Sequence, residues 1–234
     1  MNILITRPLI DAEDLMGKIF SLGHKIIHIP TLKISSAKAE PVDANQYNAF
    51  IFTSANAIRN LKVIKQDKSK LCFCVGTMTE KITRMLGYNN TISAGGTVNA
   101  LKNLIISSNQ ISEKSKMAYF CGDTISYDLD LELKREGFKI KKIINYTSEK
   151  ITDLNDANKK IISSHPPDII FVYSARSAAS FIEIVKKYSL YPLMTGSKVM
   201  CISKKVADIF TINNWKRVKI FNPGDELLQL EKIN

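Results

Sequence analysis

The chain is written twice, and that constrains its fold more than any other feature. Ile51-Phe52-Thr53-Ser54-Ala55-Asn56-Ala57 recurs as Phe171-Val172-Tyr173-Ser174-Ala175-Arg176-Ser177. Each copy is an apolar run that stops at Ser-Ala and passes into a helical pattern. The flanks repeat as well. Ile3-Leu4-Ile5-Thr6, an acidic helix and Gly23-His24-Lys25-Ile26-Ile27 are echoed by Met117-Ala118-Tyr119-Phe120-Cys121, an acidic helix and Gly137-Phe138-Lys139-Ile140. Cys72-Phe73-Cys74-Val75-Gly76 finds a weaker echo in Val199-Met200-Cys201-Ile202-Ser203. A duplicated α/β unit predicts two similar lobes, and two lobes predict a cleft for a ligand.

Short apolar runs rich in Ile, Val and Phe fall near residues 3–6, 25–29, 49–53, 71–75, 90–93, 117–121, 139–144, 168–173, 198–202 and 218–221. They are continuous, as in strands buried on both faces. Helical stretches lie between them, among them Asp11 to Leu22, Asn56 to Ile64, Thr124 to Glu136 and Ser177 to Tyr188. Gly23, Gly87 and Gly137 follow helices where a C-terminal cap is expected. Alternation at this spacing implies parallel sheets covered by helices. The lobes can be divided in two ways. A boundary in the polar stretch Asn109 to Lys116 gives contiguous halves. Crossovers at the equivalent points Ile34-Ser35-Ser36 and Tyr146-Thr147-Ser148 instead give one lobe from 1–33 plus 149–234 and another from roughly 36–145, with five strands in each. Periodicity does not choose between them.

Composition narrows the function classes. No run of about 18 apolar residues exists, so no membrane span is expected. The start moves directly into Ile3-Leu4-Ile5 without a signal-peptide pattern, which reads as a cytoplasmic protein. Cys72, Cys74, Cys121 and Cys201 lack C-x-x-C or zinc spacing and read as buried reduced thiols. His24, His28 and His165 are scattered. No metal is expected. The net charge of +11 favours an anionic partner. Basic residues are spread along the chain without interleaved aromatics, and no helix-turn-helix or RNP motif appears, so a nucleic-acid partner is not expected.

In a parallel α/β lobe, ligands gather at the carboxyl ends of strands, where helix N-termini present free amides. Small polar residues recur there: Thr6-Arg7-Pro8, Thr53-Ser54-Ala55-Asn56, Gly76-Thr77-Met78-Thr79, Gly95-Gly96-Thr97, Gly122-Asp123-Thr124, Ser174-Ala175-Arg176-Ser177 and Ser203-Lys204. Each alone is explained by N-capping. Together they predict an edge of amides and hydroxyls suited to carboxylates or phosphates. The Rossmann fingerprint, the Walker A sequence and the G-x-S-x-G elbow are all missing.

These residues resemble the uroporphyrinogen-III synthase family over nearly the whole chain. The resemblance runs from Ile3-Leu4-Ile5-Thr6-Arg7-Pro8 through Ala49 to Ala57, Val75 to Thr79, Ala94-Gly95-Gly96, Cys121-Gly122-Asp123 and Ile144-Asn145-Tyr146-Thr147. It ends with Phe171 to Ala178, Cys201-Ile202-Ser203 and Val206-Ala207. It implies two α/β lobes, each a five-stranded parallel sheet covered by helices, joined by a two-stranded linker near 31–36 and 145–148. It therefore implies the crossover partition. It also implies a cytoplasmic monomer that uses no cofactor. The implied substrate is hydroxymethylbilane, a linear tetrapyrrole with eight carboxylates, handed over by hydroxymethylbilane synthase. Loss of hydroxide gives an azafulvene cation, which attacks the last pyrrole ring to form a spiro intermediate. Fragmentation and reclosure invert that ring. Positioning is the main contribution expected of the protein.

The resemblance also carries residue roles. Tyr146 matches the family's tyrosine near the second linker and is the expected proton donor, since a phenol with a reference pKa of about 10 is protonated at neutral pH. Thr79, Ser54 and Ser174 match cleft residues. The expected substrate contacts are Thr6, Arg7, Ser54, Asn56, Thr79, Gly122, Ser174, Arg176, Ser203 and Lys204. Val206 departs from the pattern, where many members carry threonine. A non-catalytic two-lobed binder of an anionic small molecule is the rival reading, and turnover separates the two.

Overall fold

The computed structural model describes residues 1–65 and 67–231. In chain order the first elements are β1 (Asn2–Ile5), α1 (Leu9–Ser21), β2 (Lys25–His28), β3 (Leu32–Ser36), β4 (Val42–Asp43) and β5 (Ala49–Phe52). Next come α2 (Ala55–Arg59), β6 (Val63–Ile64), β7 (Leu71–Cys74), α3 (Thr77–Met85), β8 (Thr91–Ser93) and α4 (Val98–Ile106). Then follow β9 (Lys116–Gly122), α5 (Leu129–Arg135), β10 (Lys139–Lys150), α6 (Asp156–Ser164) and β11 (Ile169–Val172). The last are α7 (Ala175–Lys187), α8 (Tyr191–Met194), β12 (Lys198–Cys201), α9 (Lys204–Ile212), β13 (Val218–Ile220) and α10 (Glu226–Glu231). Every residue of β5, β7 and β11 is buried, as continuous apolar strands between helical layers must be. Gly23, Gly87 and Gly137 adopt φ of 80°, 92° and 89°, the left-handed geometry of a residue just past a helix end.

The chain forms two compact units, Met1–Lys33 with Glu149–Asn234, and Ile34–Ser148. The first holds a five-stranded sheet in the order β13-β12-β11-β1-β2, all of its pairs parallel. Its faces are filled by separate clusters, one around Phe181, Phe210 and Trp215, the other around Ile3, Phe171 and Phe221. In the second unit the order is β3-β10-β9-β5-β7-β8, with six strands rather than the five expected. The sixth is β3, which joins the edge beside β10. Ala37 N donates to Asn145 O, and Ile151 N donates to Thr31 O. One index rises as the other falls, so this edge pair runs antiparallel while the rest of the sheet is parallel. The paired segments near 31–36 and 145–148 continue directly from the sheet, since β10 extends from Lys139 to Lys150 with a register shift between Ile144 and Tyr146.

Two helices are shorter than their sequence patterns. Helix α2 stops at Arg59 instead of running to Ile64, and Val63–Ile64 pairs in parallel with Val42–Asp43. Asn60 ends it by folding its side-chain amide back to Asn56 O at 2.9 Å. Helix α5 begins at Leu129 rather than Thr124. No helix among the described residues is long and apolar enough to cross a membrane.

Candidate active site

In the second unit the strand carboxyl ends bring together Thr53, Ser54, Asn56, Gly122, Asp123 and Tyr146. Strand β10 carries a bulge: Ile144 pairs with Cys121 and Tyr146 with Gly122, leaving Asn145 as the extra residue. The Asn145 side chain turns inward, and its Nδ2 donates to Ala57 O of α2 at 2.6 Å. Asp123 N donates to Tyr146 O at 3.0 Å, and Asp123 Oδ1 accepts from Ser148 N at 3.1 Å. The half-buried Tyr146 ring packs on the aromatic cluster of Phe50, Phe52 and Phe120. On the other face Thr53 Oγ1 and Tyr119 Oη lie 3.1 Å apart. Burial pushes the Tyr119 phenol far above its ordinary pKa, so it stays a neutral hydroxyl.

The hydroxyls expected to meet substrate are mostly engaged in the fold. Ser54 Oγ accepts from Asn56 N at 3.1 Å, Ser174 Oγ from Ser177 N at 3.0 Å and Ser203 Oγ from Val206 N at 3.4 Å. They are helix caps. Asn56 Oδ1 accepts from Arg59 Nη1. Thr79 is buried in the first turn of α3. Gly122 offers the substrate little surface, because the Tyr146 ring lies directly over it.

In the first unit Thr6 is buried, and its hydroxyl donates to Phe171 O at 2.8 Å. It also accepts from Ser177 Oγ at 3.2 Å, and Ser177 Oγ lies 2.6 Å from Thr31 Oγ1. Thr6 therefore ties β1 to β11 and α7 and is not open to a ligand. Arg7 follows it at the strand end, with its guanidinium carbon 4.1 Å from the Tyr173 ring centroid, within cation–π range. Tyr173 stands in the repeat without being among the expected contacts, and no sequence signal points to Glu226. Burial and then the Glu226 charge push the Tyr173 phenol far up, with Arg7 opposing. Arg176 stands half-buried in the first turn of α7. Lys204 is exposed and paired with Asp208 at 3.2 Å. Val206 is buried.

All four cysteines are buried and free, with thiols raised by burial, Cys74 and Cys121 each to about 11. No cluster of three His, Cys, Asp or Glu residues among the described residues could hold a metal. Each unit also has a groove away from the strand carboxyl ends. One of about 600 Å³ is lined by Tyr191, Ile212 and Trp215, and one of about 770 Å³ by Ile106, Ile111 and Phe138.

No curated protein matches this chain. Over its full length the fold is similar to the crystal structure of uroporphyrinogen-III synthetase from Helicobacter pylori 26695. The TM-score is 0.63 at 15% identity, covering 99% of that chain. A mutant uroporphyrinogen III synthase from the extremely thermophilic bacterium Thermus thermophilus gives a TM-score of 0.57 at 13% identity, with 98% of that chain covered. At such identities the likeness concerns the fold. The family model of uroporphyrinogen-III synthase HemD matches residues 13–220, which take in the Tyr146 bulge and the capped helices α2, α7 and α9, and the chain belongs to that family.

Proposed function

We propose that this chain cyclises hydroxymethylbilane to uroporphyrinogen III, with inversion of the last pyrrole ring and without a cofactor. The family match over residues 13–220 carries the reading. The +11 charge and the helix N-termini at Ser54, Ser174 and Ser203 support it, because they favour a polycarboxylate. Arg7, Asn56, Arg176 and Lys204 are the side chains assigned to substrate carboxylates. The protein acts as a cytoplasmic monomer that takes the bilane from hydroxymethylbilane synthase.

The reaction begins as the terminal pyrrole nitrogen pushes out the hydroxyl group. Tyr146 donates its phenolic proton to the departing oxygen, so water leaves. The azafulvene cation is attacked by the substituted carbon of the last ring, and the spiro intermediate fragments and recloses. The proton lost as that ring regains aromaticity returns the phenol to its starting state. Water is the only net product lost.

The test is a coupled assay on fresh hydroxymethylbilane with chelator present and nothing added. Products are oxidised and the isomers separated. The type III isomer is expected. Accumulation of the type I isomer alone, as in a blank, refutes the assignment.

A further inference from the structure

We infer that Gly122 and the Asn145 bulge are positioning residues that seat the Tyr146 phenol at the carboxyl edge of the sheet. The inference rests on the reading of Tyr146 as proton donor, but its geometry stands apart from that reading. A Cβ at position 122 would lie 2.7 Å from Tyr146 Cζ, 2.8 Å from Cε2 and 3.0 Å from Oη. Such contacts are well inside van der Waals distance. Gly122 does not have a left-handed φ, so another residue could adopt its backbone. What glycine supplies here is the missing Cβ under the ring, which lets the hydroxyl end of the tyrosine lie on the strand itself.

The bulge decides which face the ring occupies. In an unbroken strand Tyr146 would share a face with Ile144, two residues earlier. Ile144 pairs with Cys121, which belongs to the cluster around Phe73 and Tyr119. Tyr146 instead packs with Ile143 on the opposite cluster, against Phe52 and Phe120. The extra residue accounts for the switch, and a one-residue shift is what reverses side-chain faces. Asn145 pins the bulge from inside, since it is buried and bonded to Ala57 O. The register shift sets the face of the ring, and Gly122 sets its height.

The experiment combines Gly122→Ala, Tyr146→Phe and the double variant. Tyrosine labelled with 13C at Cζ gives a phenol resonance for Tyr146, assigned by its loss in Tyr146→Phe. In Gly122→Ala the ring is the movable partner, so this resonance should shift while other tyrosines keep theirs. On hydroxymethylbilane, kcat should fall on the order of tenfold or more with KM within about twofold. Adding Gly122→Ala to Tyr146→Phe should cost kcat nothing further. An unmoved resonance, or an equal kcat cost in both backgrounds, overturns the inference. Unaltered kcat in Tyr146→Phe together with a shifted resonance in Gly122→Ala would remove the proton-donor role and uphold the seat. If Gly122→Ala melts early, its cost should vanish when measured in a Tyr146→Ala background, because the clashing ring is gone. A Gly122→Ala cost that is the same with and without the Tyr146 ring also overturns it.

Discussion

Tyr146→Phe deletes one oxygen and keeps the ring that packs on Phe52 and Phe120. The fold should therefore be retained. We expect kcat to fall about tenfold to a few hundredfold with little change in KM, because the lost interaction matters mainly as the hydroxyl group departs. Unaltered kcat under conditions where chemistry limits turnover would leave positioning as the protein's whole contribution. Thr79 is buried, so Thr79→Val is the paired control and should leave both kcat and KM little changed. Individual residues were legible in the sequence to the extent that their partners are local. Ser54, Ser174 and Ser203 are expected as substrate contacts with capping as the plain alternative, and the capping is legible because each bonds an amide two or three residues on. Thr6 misled, since its partners are Phe171 and Ser177, far along the chain. Gly122 misled for the same reason: it reads as an open strand end until the pairing of β9 with β10 lays Tyr146 over it.

At the scale of elements, helix α2 shows how one strand completes another element. The helix has only five residues, so its last carbonyls lack partners within it. Asn60 N bonds Asn56 O and Leu61 N bonds Ile58 O, while Ala57 O accepts from Asn145 Nδ2. Asn145→Ala removes that donor and leaves a buried carbonyl unsatisfied. It should cost about 1–3 kcal/mol, measured as a lower urea midpoint with unchanged slope. Asn145→Asp should cost more, because it buries a carboxylate against a carbonyl. An unchanged midpoint in Asn145→Ala would mean that water replaces the amide. The main strands were legible because continuous apolar runs such as Ala49–Phe52 and Ile169–Val172 have few alternatives to the centre of a parallel sheet. The bulge was not, because it appears only as a change of partner between neighbouring strands. Nor was the early end of α2, where Val63 and Ile64 follow the helical pattern yet find a strand partner in Val42 and Asp43.

For the whole molecule, periodicity left two partitions open because sheet order is a property of residues distant in sequence. Strand β1 lies between β11 and β2, so the first 33 residues supply an interior strand and the edge strand β2 to a sheet otherwise built from 149–234. The two units should therefore behave differently when cut apart. Residues 34–148 are contiguous and contain every residue of both clusters that sandwich their own sheet. Expressed alone, they should fold cooperatively, as a domain with its own core does. Residues 149–234 alone lose Leu4, Ile27 and Ile29 from one core and Ile3, Ile5, Ala12 and Ile19 from the other. They also expose the β11 edge that β1 covers, and an unpaired edge invites aggregation. Adding residues 1–33 as a separate peptide should restore a folded complex, since the register Ile3 to Ile169 through Ile5 to Phe171 is specified by buried residues on both strands. Thermal melts followed by circular dichroism, with one-dimensional NMR dispersion, decide each case. A 34–148 fragment without a cooperative transition, or a 149–234 fragment that folds unaided, would show that cooperativity runs across the chain and does not follow these two units.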